Sequence, residues 1–79
     1  MSTQKLSNVT LADYRLFLTK AGCKCTRTKG GHEHWTKHSI NRPVSFSTHI
    51  DPVPEFIIKN GLRILELTKK DFFTILFEC

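Results

Sequence analysis

The chain contains no apolar run approaching the ~18 residues that cross a bilayer, and its first residues lack the apolar core of a signal peptide. Those two absences predict a protein that neither spans a membrane nor is exported. Acidic residues are scarce, with 7 Asp and Glu against 12 Lys and Arg in 79 residues, giving a formal net charge of +5. Cysteine is limited to three, an odd number, and Cys23 and Cys25 are too close along an extended strand to bridge one another easily. A disulfide framework is therefore disfavoured, and reduced thiols in a cytoplasmic setting are the better reading. No internal repeat and no low-complexity segment is visible, which removes solenoids and composition-driven disorder.

What is present makes one small domain. A chain of this size buries about 60–65% of its unfolded surface, so its core is modest. The polar, unpatterned stretch 1–8 is expected to be a loose tail, and 9–79 a single folded unit. The basic balance points towards nucleic acid, an acidic protein partner or an anionic membrane surface.

Val9 to Gly22 predicts a helix. Thr10 is placed to cap it, Asp13 completes a capping box, and Val9 and Tyr14 have staple spacing. Leu11, Tyr14, Phe17, Leu18 and Ala21 form its apolar stripe, and Gly22 sits where a C-terminal glycine belongs. Two strand-like runs follow, Cys23 to Lys29 and His32 to His38, joined by Gly30-Gly31, a pair that permits the positive φ angles of a tight hairpin. A two-residue loop pairs Lys29 with His32, Arg27 with His34, Thr26 with Trp35 and Cys23 with His38. Alternation then sets Cys23, Cys25, Arg27, Lys29, His32, His34 and His38 on one face, and Thr26, Glu33 and Trp35 on the other, with Trp35 as core anchor.

Pro43 to His49 reads as a third strand, with Val44 and Phe46 inward and Ser45, Ser47 and His49 outward. Asp51 and Pro52 are start signals for a second helix with the stripe Ile58, Leu62 and Leu65, although Asn60-Gly61 is also a hairpin signal. Thr68 and Asp71 repeat the capping device ahead of a short last helix carrying Phe72, Phe73, Ile75 and Leu76. The fold class predicted is a small two-layer α+β domain of order α-β-β-β-α, helices on one face, with a short extra C-terminal helix. That order resembles double-stranded-RNA-binding domains.

Three chemistries fit these residues. The first is metal-independent RNA cleavage, in which the 2′-hydroxyl is an internal nucleophile that needs a base and cations to stabilise the phosphorane. His32 is the candidate base, since histidine titrates near neutrality with a reference pKa of about 6.5. Arg27, Lys29 and Lys37 are candidate phosphate contacts, and His34 or His49 a second participant. The second is zinc on Cys23, Cys25, His32 and His34, disfavoured because the Cys-x-x-Cys knuckle is missing. The third is a non-catalytic RNA-binding module, with Trp35 either stacking a base or filling the core and Lys59, Arg63, Lys69 and Lys70 extending a basic track.

Beyond these readings, AGCKCTRTKGGHEHW, PVSFSTHIDPVP and LTKKDFF occur in an order and spacing that resemble the HicA-type (YcfA-like) toxins, the mRNA interferase half of HicA–HicB toxin–antitoxin pairs. The matching features are Gly30-Gly31-His32 at the first hairpin turn, His49 at the end of the third strand, and Leu67, Thr68, Asp71 and Phe72 near the C-terminus. The resemblance implies a double-stranded-RNA-binding-like fold and a stress-response endoribonuclease that needs no cofactor or metal. It makes His32 catalytic, with Gly30 and Gly31 against the RNA. It also implies a HicB-type antitoxin covering the site, with DNA contacted only through the antitoxin complex. The family usually carries serine where Gly31 stands, so a hydroxyl contact to phosphate is missing here.

Overall fold

The structure, a computed structural model, describes residues 6 and 8–77. Its elements run α1 (Leu11–Lys20), β1 (Lys24–Lys29), β2 (His32–Thr36), β3 (Val44–Ser47), α2 (Glu55–Leu65) and α3 (Lys69–Phe77). The sheet is antiparallel in the order β1-β2-β3, so β2 is central and the other two strands are edges. The α+β class and the element order are as the sequence predicts. Among the described residues, no helix is long and apolar enough to cross a membrane.

The first helix forms for the expected local reasons. Thr10 accepts a hydrogen bond from the Asp13 N–H at 3.0 Å, and Tyr14, Phe17 and Leu18 are buried. At the other end Gly22 takes φ +95°, the Gly22 N–H reaches the Thr19 carbonyl at 3.1 Å, and the Cys23 N–H reaches Leu18 at 2.9 Å. This paired closure turns the chain and delivers Cys23 into the core. The last helix starts on a reciprocal box. The Thr68 N–H donates to Asp71 at 2.9 Å, and the Asp71 N–H donates to Thr68 Oγ1 at 3.1 Å.

The second helix departs from expectation at its start. Asp51 does not cap it; the N-cap is Pro54, with no side-chain hydrogen bond. Asp51 instead accepts from the Leu11 N–H at 3.1 Å, so the first helix receives a second cap from 40 residues away. The neighbouring Val53 N–H bonds the Val9 carbonyl at 2.7 Å, which ties the two segments together. The tail reading is corrected at Leu6, which is 1% exposed and belongs to the core. Residues 1–5 and 7 of that tail lie outside the described residues.

The hairpin signal at Asn60-Gly61 is overridden, because α2 continues through it to Leu65 with Ile58, Gly61, Leu62 and Leu65 buried. Gly61 has a packing reason. A Cβ there would collide with the Tyr14 hydroxyl and come within 3.3 Å of Val44. The bare backbone lets α1 and β3 approach α2 closely. Tyr14 stands edge-on to Phe46, with ring centroids 4.9 Å apart, and Phe17 meets Phe72 at 4.6 Å. These rings join the sheet to α1 and α1 to α3.

Candidate functional site

Gly30 and Gly31 form the two-residue turn the sequence predicts, with φ +58° and +81°. Lys29 faces His32 and Arg27 faces His34, as expected. On the far side of β2, His32 faces Ser47 and His34 faces Ser45. Directly paired residues share a face, so two rows cross the sheet: Lys29–His32–Ser47 beside the turn, and Arg27–His34–Ser45 behind it. Glu33, Trp35, Val44 and Phe46 take the opposite, helix-covered face.

One part of the expected register is wrong. A bulge between Cys25 and Arg27 pairs Cys25, rather than Thr26, with Trp35. One inserted residue reverses the alternation, so Cys25 leaves the face that holds Arg27, Lys29 and the histidines. The Thr26 hydroxyl at the bulge donates to the His34 carbonyl at 3.2 Å. Cys23 precedes the strand and is buried, while His38 lies beyond β2 in a turn, so neither joins the face. No cluster of three His, Cys, Asp or Glu able to hold a metal occurs among the described residues.

Behind the sheet, a charged pair holds β2 against α1. Arg15 donates to Glu33 through Nε at 3.2 Å and Nη2 at 2.7 Å, and the Trp35 indole N–H donates to Glu33 at 3.0 Å. Burial raises the Glu33 carboxyl, but the Arg15 hydrogen bonds, the Trp35 N–H and the Arg15 charge outweigh it and hold the group below its ordinary value. Trp35 is thus fixed by its ring in the core and its nitrogen on Glu33, and is not offered to a base. This support for the central strand, and hence for His32 and His34, depends on Arg15, whose role no local sequence signal marks.

The turn is also gripped from β3. The Gly31 carbonyl accepts from the Thr48 N–H at 2.7 Å and from the Thr48 hydroxyl at 2.9 Å. Immediately beyond, the His49 N–H donates to Ser47 Oγ at 3.1 Å, bending the chain back towards the turn. The His49 imidazole then lies against Gly31, in the space where a Cβ would be. His49 therefore sits two residues past the end of β3, yet beside the turn that presents His32. His34 is engaged differently, its Nδ1 lying 2.6 Å from Ser45 Oγ.

Arg27, Lys29, Gly30, Gly31, His32 and His49 are thus brought to one end of the polar face. Lys37 is not. It follows the opposite end of β2, five residues or roughly 17 Å of strand from His32, with its aliphatic stem 3.6 Å from the Cβ position of Gly22. Thr48 is the residue that local reasoning misses, and the Ser-Thr-His run after the third strand is the signal that could have suggested it.

The open face supplies exposed cations, imidazoles and hydroxyls, a combination suited to an extended polyanion. Next to it an apolar crease of about 50 Å³ runs between β3 and α2, with Ile50 and Phe56 exposed at its rim. Comparison with known protein families, with characterised proteins and with solved structures finds no significant match to this chain.

Proposed function

We propose that this protein is a HicA-type mRNA interferase, the toxin of a type II toxin–antitoxin pair, acting on a double-stranded-RNA-binding-like scaffold. The observation that carries the reading is the row Lys29–His32–Ser47, which sets an exposed imidazole between a cation and a hydroxyl beside a glycine turn. A glycine turn lets a phosphodiester approach the backbone closely. Lys29 and Arg27 would hold the phosphate and stabilise the charge that grows on it.

In the proposed step His32 takes the 2′-hydroxyl proton as that oxygen attacks the adjacent phosphorus. The P–O5′ bond breaks, giving a 2′,3′-cyclic phosphate on one fragment and a 5′-hydroxyl on the other. The leaving oxygen acquires a proton, so atoms and charge balance. No metal enters this scheme.

The partner reading follows from the same surface. An acidic antitoxin of the HicB type fits a basic face bordered by exposed Ile50 and Phe56, and would cover His32 while bound. Contact with DNA would come through that antitoxin. The test is cleavage of a labelled mRNA by the wild type and by His32→Ala, with fragment ends analysed. Cyclic-phosphate ends from the wild type, lost in the variant, support the reading. RNA that binds and stays intact with both proteins would make the chain a non-catalytic RNA-binding module.

A further inference from the structure

We propose that His49 is the general acid of the same site, its imidazole seated in the space that a Gly31 side chain would fill. This inference rests on the cleavage reading above and assigns the second half of its proton transfer. A Cβ on Gly31 would meet three atoms of the His49 ring, Nε2, Cδ2 and Cε1, so any larger residue at this position must displace it. The ring is brought there by two adjacent devices. Thr48 clamps the Gly31 carbonyl twice, and Ser47 Oγ accepts from the His49 N–H at 3.1 Å.

Two imidazoles consequently flank one glycine, His32 as its chain neighbour and His49 through space. Both are exposed and open to substrate. His34 is the weaker candidate. It lies about 7 Å further along the strand from His32, and its Nδ1 is already against Ser45 Oγ at 2.6 Å. In the completed step His32 accepts the 2′-hydroxyl proton, the 2′-oxygen bonds to phosphorus, and the P–O5′ bond breaks. The His49 imidazolium donates its proton to the departing 5′-oxygen, and the two rings then exchange protons with water.

The experiment compares two substrates. One is a short RNA, whose 5′-alkoxide leaving group needs a proton. The other is uridine 3′-(4-nitrophenyl phosphate), whose phenolate leaves without one. General acid catalysis is worth about 10²–10⁴-fold, so His49→Gln and His49→Ala are expected to lose that factor on RNA while remaining within about threefold of wild type on the ester. His32→Ala is expected to lose both activities. Retained ester cleavage also shows that the His49 variants are folded. Equal losses on the two substrates, or no loss on RNA, would overturn the role of His49 and leave that of His32 standing. A wild type that cleaves neither substrate would overturn both.

Discussion

The Tyr14 hydroxyl offers a quantitative test of how the core is built. It is the one buried side-chain oxygen or nitrogen among the described residues without a hydrogen-bond partner, and the ring around it is fully buried. Burial, with Cys23 contributing, pushes this hydroxyl far above its ordinary pKa, so it is held neutral. A buried unsatisfied hydroxyl costs about 1–3 kcal/mol. Tyr14→Phe removes that cost while keeping the ring contact with Phe46, and is expected to stabilise the protein by about 1 kcal/mol, or about 4–8 °C in Tm for a domain of this size. The same oxygen occupies the space above Gly61. Gly61→Ala alone gains about 1 kcal/mol of helix propensity but meets an overpacking cost of about 1–3 kcal/mol, and is expected to be net destabilising. In the Tyr14→Phe background the nearest obstacle is gone, leaving Val44 Cγ1 at 3.3 Å, and Gly61→Ala is expected to become neutral or stabilising. The four proteins form a double-mutant cycle read by urea unfolding at constant m-value. A Tyr14→Phe variant less stable than wild type by more than about 1 kcal/mol would mean that the hydroxyl is satisfied, and a coupling near zero that it does not crowd Gly61.

Other consequences can be measured in the same way. Glu66 terminates α2 in the left-handed region at φ +59°, so Glu66→Gly is expected to add about 0.5–1 kcal/mol of stability in thermal or urea unfolding. Because the folded-state pKa of Glu33 is depressed, its contribution is present above the unfolded carboxyl value and is lost as pH falls through the folded one. Wild type should therefore lose more stability than Glu33→Gln on going from pH 6 to pH 3. If Arg27 contacts a phosphate, Arg27→Ala should reduce the slope of log affinity against log salt for single-stranded RNA by about 0.7.

Much of this architecture is legible locally because its signals are local. Thr10, Gly22, Thr68 and Asp71 act within one helical turn of their own positions, and the Gly30-Gly31 loop fixes the Lys29–His32 pair by itself. The bulge at Thr26 is hidden for a physical reason. The run Lys24–Lys29 is exposed throughout and buries no apolar side chain, so no hydrophobic alternation pins its register. Asp51 reads as a cap for the helix that follows it, but tertiary packing hands it to Leu11 instead. Asn60-Gly61 reads as a turn until Tyr14 is placed above it. At the candidate site His32, Lys29 and Arg27 follow from strand pairing alone. The seating of His49 on Gly31 needs the Thr48 clamp, which exists only after the third strand has folded back.

The proposed activity, RNA cleavage at the turn presenting His32, has a direct test. Purified wild type and His32→Ala should be incubated with the same messenger RNA in a metal chelator, and the 3′ ends of the fragments identified. The wild type is expected to leave 2′,3′-cyclic phosphate ends, with a loss of about 10²–10⁴-fold in the variant. Cleavage by the two proteins at equal rates, or intact RNA with the wild type, would contradict it.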